Sequence, residues 1–371
     1  MLRLTGKNLK IKSLTIFVWL MASLGFGAKA SGNPEDGEKK FDISSMIFHH
    51  ISDAHDWHFA TIGHTHIGFS LPVILYSADR GVEVFSFSRL KAHNHLEPVP
   101  VYEGYTTDHH GKIVSADPAR CMYAIDLLGT GKPAPEGAVR VYNLSITKNV
   151  ASLFLSVAIL FAVFFSVAAG YRKRSGKAPG GIQSVFEPII VFIRDEIARP
   201  NIGPGYEKYL PYLLTVFFFI WFNNLLGLFP GGANLSGNIA VTASLALITL
   251  IITLFSGNRD YWMHILWTPG IPMWLRPIML PVELVGIVSK PFSLMIRLFA
   301  NITAGHVIIL SLLGLTFIFK SGAVGIAATA FSAVMTLLEL FVAILQAYVF
   351  TLLSAMYFGQ AVAEHAHDDH H

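Results

Sequence analysis

Charge is what this chain has least of. Asp, Glu, Lys and Arg together make up 14% of its 371 residues, against 53% hydrophobic. That balance excludes an ordinary soluble domain, in which about a quarter of residues are charged, and indicates a polytopic membrane protein. A single cysteine, Cys121, excludes an internal disulfide framework and any thiolate metal cage. The net charge of +3 is too small to imply nucleic acid, and the basic residues are spread along loops rather than gathered in a patch. No glycine-rich loop able to cradle a phosphate is present, so phosphoryl chemistry is not expected on this chain, nor is a bound cofactor. Paired repeats with broken helices, the usual mark of a self-contained secondary transporter, are also missing.

What is present begins with a processing signal. Arg3, Lys7, Lys10 and Lys12 precede a short apolar core from Ser13 to Gly27, and Ala28-Lys-Ala30 supplies a small-x-small cleavage pattern. Residues 1–30 are therefore read as a signal peptide, the alternative being a permanent first membrane helix. Residues 31–147 are polar and rich in His, Gly and Pro, with short alternating runs such as Val82-Glu-Val-Phe-Ser-Phe-Ser88. They predict a small strand-containing periplasmic domain. His49, His50, His55, His58, His64 and His66 are spaced irregularly and lack cysteine partners, so surface or interfacial roles are preferred over metal.

A span over residues 150–169 follows, and Arg172, Lys173, Arg174 and Lys177 place its far end in the cytoplasm. Residues 181–200 are amphipathic and predict a helix on the cytoplasmic surface or against partner subunits, an ordinary connecting helix being the alternative. Two further spans cover residues 209–229 and 238–255. Asn223 and Asn224 suit interhelical hydrogen bonding. Trp262, Trp267 and Trp274 suit an interfacial belt in the loop flanked by Arg259 and Arg276. The expected fold is all-α and polytopic, with about five membrane helices and a small extramembrane N-terminal domain. The membrane domain would cover residues 148–360 and a His-rich cytoplasmic tail residues 361–371.

The last two apolar segments, residues 291–319 and 325–358, are too long to cross upright. At ~1.5 Å per residue they would run roughly 45–55 Å, against a hydrocarbon core of ~30 Å, so a strongly tilted hairpin is expected. Its polar residues fall in register about the turn Lys320-Ser-Gly322: His306 is level with Glu339, and Asn301 with Gln346. Arg297 shares a face with Asn301, while His306 points away from it. A guanidinium cannot shed its proton, and placing it near the bilayer centre costs at least ~2.5–3.5 kcal/mol. Each polar side chain taken singly is adequately explained as interhelical glue. Two ionisable groups at one level beside a buried Arg favour an ion pathway. On the cytoplasmic side, Glu283 and Ser289 are candidates for an inner mouth, and Lys290 either joins them or snorkels to the interface.

The run Ser289-Lys-Pro-Phe-Ser-Leu-Met-Ile-Arg-Leu-Phe-Ala-Asn-Ile-Thr-Ala-Gly305 and the segment Leu345-Gln-Ala-Tyr-Val-Phe350 closely resemble subunit a of the F-type ATP synthase. Asn224-Leu-Leu-Gly-Leu-Phe-Pro230 and Asn238-Ile-Ala-Val-Thr242 add to the resemblance, which runs from about Asn143 to Gln360. It implies a non-catalytic bacterial inner-membrane subunit that forms two proton half-channels against a ring of c subunits, held by b subunits of a peripheral stalk. Arg297 would be the stator arginine, with Asn301 and Gln346 as its polar neighbours. In many relatives the His306 position is Glu and the Glu339 position His, so the pair is exchanged here. Sodium translocation by the same subunit is the alternative, followed by a secondary transporter using Arg297 as an anion clamp.

Overall fold

The computed structural model describes residues 53–62, 65–90, 101–108, 112–117, 120–123, 139–174, 178–229, 232–266, 272, 274, 276–319 and 321–363. The predicted signal segment, His49, His50 and His64, Lys320 and the tail from Glu364 lie outside these residues. The chain divides into two units, residues 1–154 with 229–233, and residues 155–228 with 234–371.

The first unit is built from short strands. β1 (Asp56–Ile62) and β2 (Thr65–Ser70) form an antiparallel hairpin with an irregularity between His58 and Ala60. β3 (Pro72–Ser77), β4 (Gly81–Ser86), β7 (Arg120–Tyr123) and β8 (Val139–Asn143) make a four-stranded sheet in the order β4-β3-β8-β7, antiparallel except for β7 beside β8. β5 (Tyr105–Thr107) and β6 (Ile113–Ser115) form a second hairpin. Alternation turns Val73, Leu75, Phe85 and Val141 to one side of the sheet, where they pack with Phe87, Leu90, Tyr105 and Ile113 into a small core. The β3–β4 turn closes on Gly81, whose φ of 72° is a left-handed conformation that glycine adopts without strain.

His55 is buried in this unit and stacks on Phe87, with ring centroids 5.3 Å apart. Burial lowers its pKa below the ordinary 6.5, against an opposing pull from Asp53. The unfolded chain therefore takes up the proton first, so the unit should lose stability as pH falls below about 6.5. Protection of the β3 amides in the intact protein, taken relative to the base-catalysed intrinsic exchange rate at each pH, should fall between pH 7 and pH 5.5 (a range set about the ordinary histidine pKa), and His55→Phe should flatten that dependence. Protection that falls equally in both forms, or in neither, would remove His55 as the cause.

The second unit is helical. Among the described residues, five helices are long and apolar enough to cross a membrane. They are α1 (Lys148–Lys173), α4 (Leu210–Leu228), α5 (Ile239–Ser256), α7 (Arg276–Phe319) and α8 (Gly322–Val362). Shorter helices are α2 (Ile182–Phe192), α3 (Arg199–Ile202) and α6 (Arg259–Leu266). A π-helical turn over Ile193–Ala198 joins α2 to α3. The 44 residues of α7 and 41 of α8 correspond to roughly 66 and 62 Å of helix. α7 exceeds its expected length because Pro281 and Pro291 lie inside it without ending it, and α8 runs past its expected bounds at both ends. Inside a bundle, neighbouring helices and local adjustments satisfy the carbonyls that such prolines free. The loop expected between Arg259 and Arg276 likewise carries α6.

α8 is the centre of this bundle: it packs against α7 on one side and α4 on another, and α5 packs on α7. The amphipathic segment does not lie free. Ile193, Ile197, Ala198 and Ile202 are buried in the same core as Leu213, Phe217 and Phe358. Its charges stay outside, where the Arg194 guanidinium donates two hydrogen bonds to Asp195 and holds that carboxyl below its usual range. The C-terminal carbonyls of α8, left without partners inside the helix, are met by Asn258. Its backbone N–H donates to Ala361 and its side-chain amide to Val362, at 2.9 and 3.0 Å.

Gly359 marks a close approach of two helix backbones. A Cβ built there would stand 1.9 Å from the Asn201 carbonyl oxygen, a backbone atom that cannot rotate aside. Gly359→Ala should therefore force α8 off α3, at roughly 1–3 kcal/mol for overpacking. The measurable outcome is reduced recovery of the subunit in the detergent-extracted complex; wild-type recovery and melting would show that the helices separate freely.

Candidate functional site

The outward face of α7 carries a polar stripe. Ser289, Ser293, Arg297 and Asn301 follow one another at four-residue spacing, all exposed, which puts them along one side of the helix. Around them are the exposed apolar side chains Phe292 and Ile296 and the small residues Ala300 and Ala304. Leu294, Leu298 and Ile302 occupy the opposite side and are buried in the chain's own packing. The guanidinium of Arg297 thus projects away from its own bundle.

His306 and Glu339 meet between α7 and α8, His Nδ1 and Glu Oε1 lying 2.6 Å apart. The Glu339 side chain is 4% exposed and that of His306 16%, so the pair is enclosed by its own chain. Gly305 makes this approach possible. A Cβ there would lie 3.2 Å from the Glu339 carboxyl carbon and Oε1, tighter than side chains ordinarily pack. The second carboxylate oxygen, Oε2, is buried without a partner among the described residues. A buried carboxyl oxygen with nothing to bond demands a proton or a water.

Gln346 is buried, whereas Asn301 sits on the exposed stripe. Equal distance from the turn fixes the level of two residues but not the direction each faces. Asn224 lies deeper, accepting from Ser236 Oγ at 2.5 Å and donating to the Ala343 carbonyl at 3.3 Å, and so ties α4 to α8. Asn223 spends its amide on Phe219 of its own helix.

Below the stripe, Lys290 donates to Gln360 at 2.8 Å and lies over the ring of Tyr357. It is bonded across the hairpin rather than merely reaching for the interface. With Thr249, Thr253 and Tyr261 these residues line a cavity of ≈ 10 Å³, space for a single water. Glu283 is half-buried nearby; its charge, after burial, helps raise the Tyr261 hydroxyl above its ordinary pKa. Ser289 Oγ donates back to the Gly286 carbonyl.

Comparison with known proteins decides the family. The sequence model of the ATP synthase A chain matches residues 150–359. The chain belongs to the ATP synthase subunit a family. Among similar proteins, ATP synthase subunit a 2 of Chlorobaculum tepidum is 49% identical over 64% of this chain and 69% of its own length. Subunit a of Chloroherpeton thalassium is 44% identical over 63% and 72%, and that of Myxococcus xanthus 45% over 62% and 77%. Residues 46–126 match a separate family described as a domain of unknown function.

Within this subunit a framework, Ser293, Gly305, Tyr357 and Gln360 are site neighbours that reasoning from sequence did not single out. Ser293 was legible in principle, since it extends the four-residue spacing of Ser289 and Arg297. Gln360 needed the hairpin's packing to reveal its lysine partner. If His306 and Glu339 act as one unit, exchanging the two should retain more ATP-driven proton pumping than either His306→Glu or Glu339→His alone. Quenching of a pH-sensitive dye in inverted vesicles measures this, and the reverse ranking would dissolve the pair.

Proposed function

We propose that the chain is the stator subunit of a proton-driven rotary ATP synthase, forming two offset half-channels against a ring of c subunits and taking no part in phosphoryl chemistry. One observation carries this reading: Arg297 is exposed on a helix face where the apolar Phe292, Ile296, Ala300 and Ala304 flank its polar stripe. A permanent cation facing lipid alone would be costly, so the face requires a neighbouring chain that brings an anion. Ala300 and Ala304 beside it permit close approach of a partner helix. A carboxylate carried past on a rotor helix meets that need, and an anionic substrate does not, because the stripe lies on a surface rather than in a cavity.

On this reading a proton reaches the outer half-channel at the Glu339–His306 pair, which shares it as a unit, and passes by Asn301 and Gln346 to the rotor carboxylate. Protonation neutralises that carboxylate and lets it turn into lipid, which the ionised form cannot do cheaply. After the ring has turned it meets the inner half-channel, where Glu283, Ser289 and the water-sized cavity beside Lys290 and Gln360 receive the proton. Arg297 holds the returning group ionised and separates the two paths. The drive is ~2.3 kcal/mol per charge per 100 mV.

The same proposal places residues 1–30 as a removed signal, residues 31–147 in the periplasm, residues 148–360 in the inner membrane and residues 361–371 in the cytoplasm. Arg172 and Lys173 at the end of α1 support that orientation, and five spans put the two ends on opposite sides. The b subunits of a peripheral stalk complete the partners.

Arg297→Ala should abolish ATP-driven pumping in inverted vesicles prepared without sodium, while the complex still purifies with its ring and nucleotide-binding subunits. Pumping at wild-type rate in the variant would take Arg297 out of the mechanism. A wild-type complex that pumps only after sodium is added would replace the proton with sodium.

A further inference from the structure

The sheet of the N-terminal unit has a second face that its own core leaves uncovered. Val82 and Val84 on β4 are 65% and 63% exposed. Across β3 and β8 the same face continues through Ile74, Tyr76 and Tyr142, the two tyrosine rings stacked at 6.4 Å, and ends at the exposed Leu144. Alternation along each strand explains the set: these are the residues that cannot point at Val73, Leu75, Phe85 and Val141. A strand domain that leaves valines, tyrosines and a leucine together on one face open among the described residues has something apolar to lay it on.

Where this face sits is fixed by the join to α1. Only residues 144–147 separate β8 from the helix, at most roughly 13–14 Å of chain. They are not slack. Leu144 and Ile146 continue the ladder by donating to Ile74 and Pro72, and the Ser145 hydroxyl accepts from the Ile74 N–H. The first turn of α1 is then gripped by the domain itself: Lys148 N–H donates to the Ala54 carbonyl at 2.8 Å, and Asn149 N–H to the Asp53 carboxylate at 3.1 Å. Asp53 acts as a helix cap supplied from a distant part of the chain. The apolar run of α1 starts at Val150, so with α1 as a span the clamp on its first turn stands at the water–lipid boundary.

We infer that the Val82/Val84/Tyr76/Tyr142 face rests in the phospholipid headgroup region of the membrane that α1 enters, making the N-terminal unit a monotopic foot on that membrane surface. The composition suits the site: tyrosines set their rings at headgroup level with the hydroxyl toward water, and flanking valines reach the acyl boundary. The inference requires only that α1 crosses the membrane, and stands whether or not the rotary mechanism is correct.

The test uses the whole complex in vesicles of phosphatidylethanolamine and phosphatidylglycerol carrying a radiolabelled phospholipid. A photoreactive p-benzoylphenylalanine is placed at Val84 and, in a second variant, at Val82. Both positions are exposed, so the domain core is untouched, and pumping activity confirms assembly. After illumination the labelled phospholipid should be bound covalently to the subunit at both positions. An adduct with another polypeptide would overturn the inference and identify a protein interface. Absence of either adduct in an active complex would overturn it too, leaving the face in water.

Discussion

A charge that cannot be neutralised, carried on a helix face that otherwise suits lipid, is the constraint to which the rest of this molecule answers. Histidine or lysine in the place of Arg297 could lose its proton and sink into hydrocarbon; arginine cannot. Its chain must therefore hold it at a surface and against a partner. α7 does so by burying Leu294, Leu298 and Ile302 on one side and presenting Ser289, Ser293, Arg297 and Asn301 on the other. α8 fixes the angle of α7 by packing along it, and α4 and the π-turn segment hold α8 in turn.

Two kinds of polar site coexist on this hairpin, and their surroundings separate them. The Glu339–His306 pair is enclosed by its own helices, with a glycine cleared to admit the carboxylate. Such a pair exchanges protons internally and through water. The Arg297 stripe is open to whatever lies alongside the chain. Between them the buried Gln346 lies one to two helical turns along α8 from Glu339. This division is what the proposed stator role calls for, a path within the chain and a face against a partner. The Lys290–Gln360 bond adds a cation tied across the two arms beside a space for one water.

Much of this was legible from spacing. The five spans, the hairpin's excessive length and the level meeting of His306 with Glu339 all follow from counting residues against 3.6 per turn. The fused α7 was not legible, because Pro281 and Pro291 read as helix ends unless one knows that neighbouring helices satisfy the carbonyls they release. For Gln346, register sets height, while its burial depends on how α8 rolls against α4. In the amphipathic segment, Ile193 reads as apolar, but sequence leaves open whether a lipid surface, a partner or the protein's own core receives it. The strand pattern of the N-terminal unit was visible at Val82–Ser88, where the strand runs as far as Ser86, yet the pairing of β3 with β8 joins segments far apart in sequence and leaves no local trace.

The contact between Gly359 and the Asn201 carbonyl bears on how such a protein can be made safely. α8 follows α7 in the chain, and with it come Glu339, Gln346 and the glycine that seats the helix against α3. Until the 41 residues of α8 leave the ribosome, the nascent chain holds Arg297 without the acid that the proposed pathway needs. On that proposal, a chain stopped before α8 opens no path across the bilayer.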